Sequence, residues 1–238
     1  MNRRTLAGVA SALVLLASAS LASAQSVDEL VAKNILAKGG LEKLQSVQTV
    51  KQTSRLTMQG SEATVTVYGK RPNLVRQEIK LGDKTIVHAF DGTTPWIVNP
   101  LTGATTPVVV TGPQADVTRE LSNFDSPLMD YKTRGYKVDL VGQETLGARK
   151  VFHLKMVDKR NQTQHLYLDA ETGLETKIVF DTESGPMAQE LSDYRDVEGI
   201  KVPFVVKTSM NGIGQSEIKI DKVEFNVKID DALFKMTR

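Results

Sequence analysis

Cysteine is absent from this 238-residue chain. That excludes disulfides, thiolate nucleophiles, Cys-ligated zinc or iron–sulfur sites and a lipid-modified N-terminal cysteine. Histidine is scarce. His88, His153 and His165 each fall on a predicted strand, and no two have the spacing of three to five residues that metal motifs use, so they read as ordinary strand histidines. Ser54, Ser61 and Ser122 stand in no G-x-S-x-G context, and no phosphate-binding glycine loop occurs. The Asp193, Asp196 and Glu198 group has Arg195 and Lys201 beside it and reads as solvated charge. Asp230-Asp231 reads as a turn or cap. The residues therefore offer no catalytic group, no metal site and no cofactor site.

An excess of one charge is lacking as well. The formal net charge of +2 comes from Arg3 and Arg4, which belong to an export signal. Leu6 to Ala17 carry no charge, and Ala22-Ser23-Ala24 fits the small-x-small cleavage rule. The run is too short for a bilayer, which takes ~20 residues. Residues 1–24 are expected to be removed after Ala24, leaving Gln25 first in the exported protein. Residues 25–238 then hold 28 basic against 28 acidic side chains. With no net charge and no dense Lys/Arg run, nucleic acid is not an expected partner.

What remains is mostly alternation. A helix opens the mature chain: Ser26 and Glu29 have capping-box spacing, Val27, Leu30, Val31 and Ile35 share one face, and Gly39-Gly40 ends it. From there the apolar period is two. Val50, Leu56 and Met58 alternate with polar residues, and so do Ala63, Val65 and Val67. Further strands follow at 74–81, 85–90, 95–99, 136–141, 151–157, 164–168, 174–180, 187–194, 200–210, 215–220 and 223–229. Gly82-Asp83, Asp91-Gly92 and Asn211-Gly212 supply hairpin turns. The exception is 112–131, where Val117, Leu121, Phe124 and Leu128 share a helical face that Pro127 must break. There is no internal repeat and no linker, so residues 25–238 form one domain.

About a dozen strands, each apolar on one side, make a large hydrophobic face, and only one full and one broken helix are available to cover it. Either the sheet closes as a barrel or sandwich, or the helices cover it imperfectly and leave an apolar cavity. The residues alone leave both open. One further oddity is Arg71, a guanidinium next to strands with alternating apolar side chains. It needs acceptors, and carbonyls at a helix end would serve.

Lys70-Arg71-Pro72-Asn73-Leu74, followed by the D-G-x-x-x-W-x-x-N-P pattern of Asp91–Pro100, resembles the periplasmic outer-membrane lipoprotein carriers, the LolA-like proteins. Tyr167–Gly173, Tyr194–Phe204 and Phe225–Phe234 are similar to segments of the broader outer-membrane lipoprotein-sorting group, to which the Ile200-Lys-Val-Pro-Phe204 segment and the longer C-terminal half also point. The resemblance implies a curved, unclosed antiparallel β-barrel with an N-terminal helix and a broken helical lid over an apolar cavity. It also implies a non-enzymatic, monomeric periplasmic carrier of acyl chains from lipoproteins or other lipids, with an inner-membrane donor complex and an outer-membrane receptor. Leu56, Met58, Val65 and Val67 would line the cavity, Leu121 and Phe124 the lid, and Arg71 would hold the empty lid closed. The alternative is a periplasmic module that binds a small apolar ligand or a partner and transports nothing.

Overall fold

The computed structural model describes residues 25–123 and 125–236. The proposed export signal and Phe124 lie outside the described residues. One antiparallel sheet of thirteen strands dominates. The strands are β1 (Thr49–Met58), β2 (Ser61–Lys70), β3 (Leu74–Leu81), β4 (Lys84–Phe90), β5 (Pro95–Asn99), β6 (Ala104–Val109), β7 (Lys137–Leu146), β8 (Arg149–Val157), β9 (Thr163–Asp169), β10 (Glu175–Thr182), β11 (Gly185–Val197), β12 (Ile200–Met210) and β13 (Ile213–Phe225). The order across the sheet is β6-β5-β4-β3-β2-β1-β13-β12-β11-β10-β9-β8-β7. Two meanders, β1–β6 and β7–β13, are thus joined by the β1–β13 pair, and β6 and β7 are left as free edges. The sheet is a curved barrel that does not close.

The helices are α1 (Val27–Ala37), α2 (Leu41–Ser46), α3 (Gly112–Leu121) and α4 (Tyr131–Arg134). Both reciprocal bonds of the Ser26/Glu29 capping box start α1. At its other end Gly39 has φ 128°, and a Cβ there would lie 2.4 Å from the Gly199 carbonyl oxygen. Only glycine permits that approach, which lets the Lys201 amide donate to the Lys38 carbonyl and seats the α1–α2 turn on the β11–β12 turn.

Two strand expectations need correction. Ala104–Val109 is a strand that Pro107 disguised; as the sheet edge, β6 has no ladder bond to lose on its outer side. The expected strands 215–220 and 223–229 are one strand, β13, with Asp221 bulged out between Ile220 and Lys222. It stops at Asn226, whose φ is 54°. The remaining chain crosses the outer face of β2–β5. Thr49 donates to the Val227 carbonyl at 2.6 Å, Trp96 to that of Phe234 at 2.9 Å, and Met236 packs with Val87, Ala89 and Trp96.

Candidate functional site

Directly opposed residues of a ladder share a face, so the register identifies one apolar inner face. Leu56 faces Ala63 on β2 and Ile218 on β13, and Ile218 faces Val206 on β12. Val65 faces Ser54 and Ile79; Val67 faces Gln52 and Gln77. On the β7–β9 flank the face is dry: Leu154, Met156, Leu166 and Leu168 are at most 2 % exposed, packed under Leu30 and Val31 of α1 and Leu128. On the β4–β5 flank Ile86 and Ile97 pack with Ala115 of α3. Between the flanks Leu56, Val67, Ile79, Val206 and Ile218 are only half-buried. The polar neighbours there, Gln52, Gln77, Thr208 and Gln189, carry no charge. His88 shares the face, and burial pushes its imidazole below the usual range, which favours the neutral ring.

The residues singled out from the sequence distribute unevenly over this face. Val65 is buried as core, while Leu56 and Val67 line the half-open strip. Met58 is at the end of β1 and 51 % exposed. Leu121 is exposed on α3, whose buried side chains include Ala115 and Thr118.

Arg71 sits at the start of the β2–β3 turn. Its Nε donates to the Val47 carbonyl at 2.7 Å and its Nη2 to the Leu44 carbonyl, at the end of α2, at 3.3 Å. The guanidinium also makes a two-pronged ion pair with Asp125, at 2.5 and 2.6 Å. Both side chains are about one-fifth exposed, at 22 and 21 %. This pair connects the α3–α4 segment to α2 and β2. Next to it lies a hollow of about 220 Å³, walled by Leu44, Val47, Met129, Ile200, Val202 and Phe225. Carbonyl acceptors at a helix end were expected for Arg71; a carboxylate was not. Asp125 lies 54 residues along the chain, between the apolar positions 124 and 128 of the expected broken helix, and that pattern says nothing of its partner.

Further polar contacts seat the helices. Asp28 of α1 accepts from Lys132 at 2.7 Å and from the Tyr131 hydroxyl at 2.6 Å. These bonds, that of Lys132 foremost, hold its carboxyl below the usual range. Deeper, Lys33 donates to the Ala170 carbonyl, Asn34 to that of Gly173, and Lys38 to Glu175 at 2.9 Å. Burial is the largest single influence and pushes the Glu175 carboxyl up, but the Lys38 ammonium with its hydrogen bond, joined by bonds from the Glu175 amide and Asn34, holds it low overall.

The histidines do not all stand apart. The register of β8 and β9 brings His153 Nε2 to 2.7 Å from His165 Nδ1, and His153 Nδ1 lies 2.6 Å from Glu144. Asp181 is 3.6 Å from His165, and Tyr167 stacks on His153. This chain of groups lies on the outer face. Among the described residues no cluster of three or more His, Asp or Glu is placed to hold a metal ion. A second, open hollow of about 460 Å³, near α3 and the β8–β9 turn, contains ion pairs such as Arg119–Asp116 at 3.0 Å and Arg160–Asp158 at 3.2 Å.

No family model matches the chain, and no curated protein does. Solved structures match over most of its length. A LolA superfamily protein from Nitrosomonas europaea is 14% identical, with 89% of this chain and 98% of that one covered and a TM-score of 0.61. The chain has the LolA-like fold. An outer membrane lipoprotein-sorting protein domain from Vibrio parahaemolyticus is 10% identical, with 86% and 97% covered and a TM-score of 0.59. A DUF1329 family protein from Desulfovibrio piger is 12% identical, with 88% and 97% covered and a TM-score of 0.62. At such identities the LolA-like likeness is one of fold: an open antiparallel sheet with helices on its inner face.

Proposed function

We propose that this chain is a non-enzymatic periplasmic carrier that binds acyl chains of lipoproteins or other lipids against its inner face and moves them towards the outer membrane. The observation that carries the reading is the pairing of a half-buried, uncharged apolar strip with a segment clamped beside it. Leu56, Val67 and their neighbours are apolar area waiting to be covered. The Arg71–Asp125 pair holds the α3–α4 segment over the nearby apolar hollow. Opening that clamp widens the hollow and joins it to the strip; an acyl chain then replaces the lost contacts. The names of the Vibrio and Nitrosomonas proteins agree with this chemistry.

Area dominates such binding. About 14 buried methylenes at ~0.8 kcal/mol each give roughly 11 kcal/mol before costs. Segment opening and immobilisation of the ligand remove several kcal/mol or more. A modest net affinity suits a protein that must release its load. In this role Met58, Leu121 and Phe124 extend the contact surface, Val65 backs it, and Arg71 gates it.

The test is titration of the mature protein with fluorescent fatty acids and lipopeptides of increasing length, beside lipid extraction from the protein purified from its own periplasm. Affinity should rise with chain length and vary little with head group. Phe124→Asp should abolish uptake and leave the sheet intact. Flat dependence on chain length would favour the partner-binding module instead.

A further inference from the structure

At one end of the sheet the register gathers the β1–β2, β3–β4, β10–β11 and β12–β13 turns, with β13 beside β1 (Met58 facing Ser216). Turns are ordinarily polar. Here three of the four carry an exposed apolar side chain: Ile213 is 69 % exposed, Met58 51 % and Leu81 38 %. The two central tips are tight two-residue turns with positive φ at both positions, Gln59 (50°) and Gly60 (80°), and Asn211 (52°) and Gly212 (79°). That conformation matches the strand twist and makes a hairpin end stiff. Neither tip carries charge: residues 57–61 and 208–216 include no Asp, Glu, Lys or Arg, in a chain that is 24% charged. Charges resume on both sides, with Lys80, Asp83 and Lys84 on one and Asp181 and Glu183 on the other. Inward from the tips, Met210 faces Met187, and the uncharged strip continues to Val206, Ile218 and Leu56.

We infer that these hairpin tips dock on a lipid bilayer, with Ile213, Met58 and Leu81 entering the interface and the flanking charges staying at the level of the head groups. Uncharged tips can leave water without stranding an ion, which a charged turn cannot. Side chains projecting from separate turns suit a fluid phase that closes around them, where a folded partner would need a matching hole for each. The docking rests on the carrier reading and extends it: an acyl chain would pass from bilayer to inner face along one apolar path.

The experiment is flotation of the mature protein with neutral phosphatidylcholine vesicles at low and high salt. Binding should occur on neutral lipid and persist in high salt, since apolar insertion is not screened. Ile213→Lys should weaken it about tenfold or more, and Ile213→Lys with Leu81→Lys should abolish it. Leu36→Lys, at a 75 % exposed site on α1, should change nothing. Each variant is to show the wild-type melting curve. No binding to neutral vesicles, loss of binding in salt, or wild-type binding by the double variant overturns the inference. So does a wild-type dimer that Ile213→Lys dissociates, which would assign the tips to a second copy. Fatty-acid titration without vesicles separates the two readings. Retained acyl binding with no flotation defeats docking alone; flotation without acyl binding defeats the carrier alone.

Discussion

The β7–β9 flank and the β1–β3 strip of the inner face are built from the same alternation but are finished differently. On the flank, Leu154 and Leu166 meet Leu30 of α1 and Leu128 with almost no exposure. Lys33, Asn34 and Lys38 add polar anchors to the strand ends below. On the strip, Leu56 and Val67 are equally apolar yet half-open. The difference locates stability on one side of the sheet and available binding area on the other. The carrier proposed above would have to change what covers its inner face, and keeping those two apart would serve it.

The comparison is tested most severely at Lys38. Lys38→Met leaves the buried Glu175 without its cation, at a cost of roughly 3–5 kcal/mol by urea unfolding at neutral pH. The pH dependence has a definite sign. Glu175 is held low in the folded state, so its contribution is present above its unfolded pKa and is lost as pH falls through the folded one. In the variant the carboxyl takes up a proton readily, and the gap to wild type should shrink as pH falls. A constant gap across the acid limb would remove Glu175 from the explanation.

Leu154→Ala, on the dry flank, should cost ~2–5 kcal/mol because the cavity it leaves cannot collapse. Calorimetric or urea unfolding measures it. Acyl binding by the fraction still folded should be nearly unchanged.

Arg71→Leu probes the clamp. Losing a charge-assisted pair and two carbonyl bonds should cost on the order of 1–3 kcal/mol of closure, so loading should strengthen several-fold while release to an acceptor slows. Transfer assays with a fluorescent lipopeptide read both steps, and unchanged loading and transfer would take Arg71 out of the mechanism.

The smallest stability effect belongs to Leu56→Ala. The side chain is already half in water, so the loss should stay below ~1.5 kcal/mol, but affinity for a long acyl chain should fall several-fold. If Leu56→Ala destabilises as much as Leu154→Ala and spares binding, strip and flank do not differ in kind.

The two regions also differ in how far the sequence announced them. Apolar and β-branched residues bounded by Gly82-Asp83 and Asp91-Gly92 give strands at 74–81 and 95–99 with the observed bounds, and Ser26 with Glu29 marks the start of α1. The edge strand β6 is hidden because Pro107 counts against a strand in any local reading, and only position at the border of the sheet makes it harmless. Asp221 reads as a break between two strands because a bulge and a turn share residue types. The contacts that matter most at the site are long-range. Nothing near residue 125 shows that its carboxylate meets Arg71, and nothing near residue 153 shows that its ring meets His165. Those meetings are set by register and by the path of the α3–α4 segment, which a one-dimensional pattern does not carry.

The adjacency of β1 and β13 bears on how the chain reaches this state. Each meander can assemble from neighbours in sequence, but the seam between them pairs Val50 with Phe225 and Leu56 with Ile218. Closing so long a loop is entropically costly and kinetically late. In a chain emerging from its N-terminal end, β1 must wait, with one side unpaired, for nearly all the other strands. The uncovered apolar strip lies along that seam, so the last part of the sheet to form is also the part proposed to receive ligand. A chaperone or an early-bound lipid that shields β1 during the wait should therefore raise the yield of native protein.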